Sequence, residues 1–463
     1  MESHAELLRR AADLAAEFRA SLPERPVAPG ADDEEIRAGF DRSLPTAPTE
    51  PGDVLDALVS AADPGLLATA GPRYFGFVIG GALPGATAAE MLAAGWDQCA
   101  FNGVTSPAAA MAERAAGGWL KELLGIPAGA SVGFVTGAQA ANTVGLAAGR
   151  HAVLAEAGWD VEAQGVAGGP AVRVVAGVER HATIDRSLRL LGLGTAAVEP
   201  VAADANGAMD PADLVRVLDA APPGPTIVCL QAGNVNTGAC DPLRPACEAA
   251  RRHGAWVHVD GAFGLWAAAS PATRHLVDGI ELADSWGCDG HKWLNVPYDC
   301  GYAFCAHPET HARAVSYTAA YLVGSHDRSA SGADFTLESS RRARGFATWA
   351  ALLELGRDGI AGLIERNCEL ARRFAGRLEA GGADIANQVV LNQVLAGFGD
   401  DARTDRIIED VQREGTCWLG GTTWRERRLM RISVSNWSTT EADVDRSVAA
   451  ILRVAAATPP PGG

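Results

Sequence analysis

Two residues in this chain stand out for the chemistry they could do together. Lys292 lies in the run Ala283-Asp284-Ser285-Trp286-Gly287-Cys288-Asp289-Gly290-His291-Lys292-Trp293, and Asp260 lies earlier, in Val257-His258-Val259-Asp260-Gly261-Ala262. A lysine amine can form a Schiff base with an aldehyde. A carboxylate can keep a pyridine nitrogen protonated, so that the ring accepts electrons. Either residue alone is a weak signal. A strand ending in aspartate, followed by a strand leading into a His-Lys turn, together point to pyridoxal 5'-phosphate.

Three further segments carry groups that could serve such a cofactor. Phe134-Val135-Thr136-Gly137-Ala138-Gln139-Ala140-Ala141-Asn142 passes from a strand through small residues into a helix, and helix N-termini suit phosphate. The same turn also occurs without any ligand. His181, in Glu179-Arg180-His181-Ala182-Thr183, precedes a helix, where a histidine can be a capping residue. It could equally lay a flat ring on a pyridine face and carry a proton near neutral pH. Asn234 and Asn236, in Gly233-Asn234-Val235-Asn236-Thr237-Gly238, could bind a cofactor hydroxyl or a substrate carboxylate, or simply shape a turn.

These residues need a scaffold that brings strand ends together. Apolar, β-rich runs occur at 131–136, 172–177, 226–231, 256–260, 282–287 and 301–305, with helical stretches at 140–155, 211–220 and 242–253. Such alternation indicates a mostly parallel sheet covered on both faces, with ligands beyond the carboxyl ends of its strands. Residues 1–60 read as a helical arm with a helix near 5–20, packing on something else, plausibly a second subunit. A large domain is expected over 61–340 and a small C-terminal α+β domain over 341–457. The small domain should hold strands at 389–398 and 429–435, helices at 404–414 and 441–455, and a linking helix at 341–355. A frayed tail, 458–463, is expected to follow.

Composition removes several classes. The formal charge of −17 and pI near 5.0 argue against phosphate-backbone binding to nucleic acid and against an anionic membrane surface. The cluster Arg341-Arg342-Ala343-Arg344 is then a solvated helix start or an intersubunit salt bridge. No apolar stretch is long enough to span a membrane, and no signal peptide is visible. The nine scattered cysteines lack CxxC spacing, which suggests reduced thiols in a cytoplasm and no metal site. Cys288, close to Lys292, reads as a buried filler rather than a nucleophile.

The segments Thr136–Asn142, His181, Gly233–Asp241, His258–Ala262 and Asp289–Trp293, in this order and spacing, resemble the pyridoxal-phosphate-dependent group II amino-acid decarboxylases. That family includes aromatic amino-acid, glutamate and diaminobutyrate decarboxylases. The resemblance runs from about Tyr74 to Ser435. It implies an α/β fold of the aspartate-aminotransferase type (fold type I), with a mostly parallel seven-stranded sheet, and a homodimer with sites at its interface.

By motif, Lys292 is the Schiff-base lysine, Asp260 the partner of the pyridine nitrogen and His181 the stacking histidine, with Ala262 under the ring. Ala138, Gln139 and His291 would hold the phosphate, and Thr136, Gly137, Asn234 and Asp289 would also bind the cofactor. Arg431 matches an arginine that meets the substrate carboxylate. Phe77 and Phe101 lie in segments that line the substrate pocket, and with Trp96 they lean towards an aromatic or apolar side chain.

The expected reaction is decarboxylation of an L-amino acid to the amine and CO2. Two departures keep alternatives open. The loop Ser325–Glu338 lacks the tyrosine that usually helps protonate the α-carbon; Tyr317 and Tyr321 come too early in the chain, which leaves His326 or His181 as substitutes. Asn234 stands where many relatives carry threonine. Decarboxylation-dependent oxidative deamination to an aldehyde is the alternative, with aldol cleavage, C–C bond formation or transamination on the same fold. A non-catalytic binding protein of this fold is the minor one.

Overall fold

The computed structural model describes residues 2–317 and 332–459. The chain opens with α1 (His4–Ser21), α2 (Asp33–Phe40) and α3 (Pro51–Ala62), followed by α4 (Pro84–Trp96) and α5 (Pro107–Leu124). The alternating region begins with β1 (Ser131–Val135), α6 (Ala138–Glu156), α7 (Val161–Gln164), β2 (Arg173–Gly177), α8 (Ala182–Leu190) and β3 (Val198–Val201). It continues through α9 (Pro211–Asp219), β4 (Thr226–Gln231), α10 (Leu243–Arg252), β5 (Trp256–Asp260), β6 (Ser285–Asp289), β7 (Gly301–Cys305) and α11 (Pro308–Val315). The last part holds α12 (Arg344–Ala380), β8 (Asp384–Ile385), β9 (Gln393–Gly397), α13 (Asp401–Glu414), β10 (Gly420–Trp424), β11 (Arg427–Ser433) and α14 (Glu441–Ala457).

The first sheet has seven strands in the order β1-β7-β6-β5-β4-β2-β3, and only β7 runs against its neighbours. Strands β4 to β7 are buried at every position, as expected of strands covered on both faces. The register sets Gln231 beside Asp260 and Asp260 beside Gly287, so the carboxyl ends of β4, β5 and β6 finish level with one another. A second sheet, β10-β11-β9-β8, is antiparallel throughout. It packs around Val394, Ile407, Ile432 and Val448, apart from the apolar cluster around Val228, Val257, Val259 and Trp286 under the large sheet.

Several elements differ from the sequence expectation, each for a physical reason. The arm contains three helices, not one, because Asp32 and Pro51 start new helices after polar loops. Strand β3 was not expected: Val-Glu-Pro-Val reads poorly as a strand, yet at a sheet edge a proline costs no ladder bond. The strand expected at 282–287 begins only at Ser285, because Ile280–Leu282 form a 3₁₀ turn. Helix α12 runs well past residue 355, broken only at Gly356, whose φ of +59° favours glycine.

The arginine cluster at 341–344 divides: Arg341 and Arg344 are buried in pairs within the chain, while Arg342 stays exposed. Arg341 is buried and bonds Glu113 through both guanidinium nitrogens at 2.8 Å, Arg344 pairs with Asp299, and Arg342 pairs with Glu90. Of the loop expected at 325–338, residues 325–331 lie outside the described residues, as do Tyr321, His326 and the end of the tail. Among the described residues no helix is long and apolar enough to cross a membrane.

Candidate active site

The carboxyl ends of the central strands enclose a cavity of about 300 Å³. Thr136, Gly137, Ala138, Gln139, His181, Asp260, Ala262, Asp289, His291 and Lys292 all line it. A larger cleft of about 870 Å³ lies between α4 and the start of α12, but none of the predicted site residues line it. The chemistry therefore singles out the smaller one. The two are close neighbours: Tyr298 lines the cleft and stacks on His291, a residue of the cavity, at 4.3 Å.

Lys292 follows β6 on a turn held from both sides. Its Nζ lies 3.1 Å from Asp289 Oδ2, and the other oxygen of Asp289 accepts the Ala138 N–H at 2.5 Å. The Cys300 N–H donates to His291 Nδ1 at 3.1 Å, which turns the proton-bearing Nε2 of a neutral ring towards Asp289, 3.4 Å away. Burial pushes the His291 imidazole below its usual pKa, so neutrality is its resting state. Asp289 is thus an acceptor that orients donors; as a carboxylate it offers an anion no hydrogen bond of its own.

The first turn of α6 supplies donors. Its first N–H groups have no intrahelical acceptor. That of Ala138 is taken by Asp289 and that of Ala141 by the Gly137 carbonyl, which leaves those of Gln139 and Ala140. The Gln139 side chain itself is turned to α8, where it donates to Ser187 Oγ at 3.0 Å. Gly137 must be small: a Cβ there would come within 2.9 Å of His291 and 3.0 Å of Asp289.

Asp260, the last residue of β5, is buried, with Oδ1 accepting the Ala262 N–H at 3.2 Å and Oδ2 accepting the Thr183 hydroxyl at 3.3 Å. His181 is the N-cap of α8: its Nδ1 accepts the Thr183 N–H at 3.3 Å, which leaves Nε2 protonated. Burial is the main cause lowering its pKa, and Asp260 opposes that shift. The capping and cavity-lining roles suggested separately by the sequence fall on the same side chain. Cys288 is fully buried and its thiol is pushed well above the ordinary range by burial, as suits a filler.

Four predicted residues do not line the cavity. Asn234 spends its amide on its own turn, accepting from the Asn236 and Thr237 N–H groups at 2.9 and 3.2 Å and donating to the Glu179 carbonyl at 3.2 Å. That engages its oxygen and one of its two N–H donors, and the side chain does not line the cavity. Arg431 on β11 donates to the carbonyl of Val235, which does line the cavity, and burial lowers its pKa. Phe77, 62% exposed, stacks on Trp418 at 5.3 Å, and Phe101 is half-buried.

The structure also supplies residues that the sequence did not single out. Thr183, Gln231, Gly233, Val235 and Phe263 line the cavity; Thr183 lies two places after His181, and Gly233 and Val235 lie in the segment that holds Asn234. Buried Asn295 ties the lysine turn to its surroundings: it donates to the Trp293 and Ser435 carbonyls and accepts from the Gly81 and Trp437 N–H groups. Gly80 packs so closely that a Cβ would sit 1.9 Å from the Lys292 carbonyl oxygen. Gly80→Ala is therefore expected to displace Lys292 and lower both bound cofactor per chain and turnover by about tenfold, the scale of an overpacked contact. Cofactor absorbance and CO2 release measure it, and unchanged values would show that the turn yields freely.

A helix N-terminus with a neutral imidazole beside it suits a phosphate ester. A lysine suits an aldehyde, and a buried carboxylate suits a protonated ring nitrogen. The donor set therefore fits pyridoxal phosphate, and the sheet order with its second small sheet is that of a fold type I enzyme. The family model described as the pyridoxal-dependent decarboxylase conserved domain matches residues 34–395, and the chain belongs to that family. It is a pyridoxal-phosphate-dependent carboxy-lyase.

Tryptophan decarboxylase 1 of Oryza sativa subsp. japonica is 28% identical over 466 residues, covering 93% of this chain and 89% of the relative. The crystal structure of Oryza sativa TDC with PLP and tryptamine superposes with a TM-score of 0.89 at 24% identity over 97% of each chain. Rhodiola rosea 4-hydroxyphenylacetaldehyde synthase gives 0.83 at 21% identity, over 97% of this chain and 98% of that one. These two superpositions establish the shared fold.

Proposed function

We propose that the protein decarboxylates an aromatic L-amino acid to the corresponding amine, with Lys292, Asp260 and His181 as its catalytic residues. The observation that carries this is the convergence of Lys292, Asp260, His181 and the α6 N-terminus on one cavity, in a chain that belongs to a decarboxylase family. The aromatic preference is supported by the curated relatives, among them a tryptophan decarboxylase and a tyrosine decarboxylase from Narcissus pseudonarcissus. It is supported also by the rings of Tyr74 and Phe77, stacked on Trp418, in the segment whose Gly80 packs against the lysine turn.

When bound, pyridoxal phosphate supplies the electron sink for the pair released as CO2 departs. Lys292 would hold it through its amine, the one lysine side chain that lines the cavity. The Asp260 carboxylate holds the proton on the ring nitrogen, a charge arranged before the reaction begins. His181, neutral and protonated on Nε2, offers a flat face and one N–H to the reacting centre. The N–H groups of Gln139 and Ala140, with His291, hold the phosphate. Arg431 draws the substrate carboxylate.

The working unit is a homodimer. Phe40, Leu44, Val54, Leu58, Phe77 and Trp96 are large apolar side chains left more than half exposed on the arm and around the two cavities, and a second copy would cover them. All nine cysteines are free, which suits a reducing, cytoplasmic setting.

One feature favours a second outcome. The loop 325–338 has no tyrosine to reprotonate the α-carbon. With O2 as oxidant and water, the same substrate would give aldehyde, ammonia, CO2 and hydrogen peroxide. Incubating the holoenzyme with a panel of amino acids while measuring CO2, amine, aldehyde and peroxide separates the two. Amine equal to CO2, from aromatic substrates at least about tenfold faster than from others, is expected for a shape-selective apolar pocket. Equal rates for acidic and aromatic substrates would overturn the substrate assignment, and peroxide matching CO2 would replace the reaction by the oxidative one.

A further inference from the structure

A line of buried polar side chains runs from the interior of the large sheet to Asp260. It starts at Trp256 on β5, whose indole N–H donates to Ser285 Oγ on β6 at 3.0 Å. Ser285 Oγ lies 2.9 Å from His258 Nδ1, and His258 Nε2 lies 3.1 Å from Asn142 Oδ1 on α6. Asn142 Nδ2 donates to Thr183 Oγ1 at 3.2 Å, and Thr183 Oγ1 donates to Asp260 Oδ2 at 3.3 Å. Asn142, His258 and Ser285 are wholly buried.

The two ends are fixed in direction, and the charge on Asp260 orients the bonds between them. Indole can only donate, and an ionised carboxylate can only accept. Between these ends the hydrogen bonds run head to tail: Ser285 donates to His258 Nδ1 and His258 donates from Nε2 to Asn142. Thr183 Oγ1 lies 2.9 Å from His181 Nδ1 and 3.3 Å from Asp260 Oδ2, and the charged acceptor, Asp260, takes its one hydroxyl proton. Flipping the Asn142 amide would reverse the middle of the chain, move the His258 proton to Nδ1 and draw the Thr183 proton away from Asp260. Charge decides between the two, because a hydrogen bond to an ionised acceptor is roughly twice as strong as a neutral one. Burial pushes the His258 imidazole down to about 3, so the ring stays neutral and relays no positive charge.

The neighbouring backbone is kept bare to admit this chain. A Cβ on Gly145 would stand 2.6 Å from His258 Nδ1, and one on Gly287 would stand 2.4 Å from Asn142 Oδ1. Four elements, α6, α8, β5 and β6, thus converge on a row of bonds that ends at the carboxylate and not at solvent.

We propose that Trp256, Ser285, His258, Asn142 and Thr183 form a one-way hydrogen-bond chain that positions the Asp260 carboxylate for the cofactor ring. Thr183 is its terminal positioning residue. This rests on the assignment of Asp260 to the ring nitrogen. Bonds in such a row polarise one another, so the last donor binds the carboxylate more firmly than an isolated hydroxyl would. A carboxylate held on both oxygens, by Ala262 and by Thr183, keeps its orientation before the cofactor arrives.

The test combines three variants with two readouts. In protein labelled with 15N-histidine, the His258 signal, assigned by its loss in His258→Gln, is expected to show a neutral ring protonated on Nε2. Thr183→Val is expected to weaken pyridoxal phosphate binding, followed by its visible absorbance, by roughly tenfold, the scale of a lost hydrogen bond to a charged group. Thr183→Ser should recover most of that loss, which a purely structural role for the methyl group would not allow. If Thr183→Val does not fold, Ser285→Ala should weaken binding in the same direction by a smaller factor.

A His258 ring protonated on Nδ1, or a Thr183→Val protein binding cofactor as tightly as wild type, would overturn the chain. Asp260→Asn tells that failure from a failure of the Asp260 assignment. If Asp260→Asn weakens binding while Thr183→Val does not, only the chain is wrong. If neither does and Asp260→Asn also keeps wild-type turnover, the role given to Asp260 falls and the chain's purpose falls with it.

Discussion

With Lys292 replaced by alanine, purified protein is expected to carry no pyridoxyl group after borohydride treatment and to release CO2 at least about 10⁴-fold more slowly than wild type, the scale on which loss of a covalent residue acts. The expectation follows from position as well as residue type. Lys292 is the one lysine lining the cavity that also holds Asp260, His181 and the α6 N-terminus. Its ammonium rests 3.1 Å from Asp289, so an alanine also leaves a buried carboxylate without its counter-charge. Lys292→Arg separates the two effects. Arginine keeps the positive charge beside Asp289, and with it the thermal stability, but forms no Schiff base and should be as inactive as alanine. A labelled peptide from Lys292→Ala, or turnover within about tenfold of wild type, would place the chemistry on another residue.

Asp260→Asn comes second in expected effect. Asparagine preserves shape and burial but removes the charge that holds a proton on the ring nitrogen. Turnover should fall by about 10³-fold, in the range found when a preorganised electrostatic partner is lost. Cofactor should still attach to Lys292, because the lysine turn is held by Asp289, Asn295 and Cys300 and not by Asp260. Activity at saturating cofactor separates a catalytic loss from a binding loss. A variant restored to wild-type turnover simply by adding more cofactor would show that Asp260 only assists binding.

Much of this arrangement is legible in the chain because strand ends leave a local signature. The apolar run before Asp260, the Gly-Ala-Gln turn after Phe134-Val135 and the apolar residues before His291-Lys292 each announce a strand that stops at a reactive group. In a parallel sheet such ends fall on one side, so their convergence follows from topology. Other features were not legible. The amide of Asn234 looks as available as any in the chain, yet its oxygen holds its own turn and one of its N–H groups bonds the Glu179 carbonyl. Arg341 sits among arginines in an acidic protein and reads as surface, but Glu113 on α5 draws it inside. Edge strand β3 and the glycine-led β10 carry too little apolar pattern to be read as strands until neighbouring strands pair with them.

The order of residues by itself determined which groups could react, which strands would carry them and which cofactor their chemistry would suit, since all three depend on side-chain type and local periodicity. Only the tertiary structure decided which polar atoms remain available to that cofactor. The proton on His258, the direction of Thr183, the bond from Asn234 to Glu179 and the bare space at Gly80 depend on partners distant in the chain. Hydrogen-bonding capacity is finite for each group, and packing alone settles where it is spent.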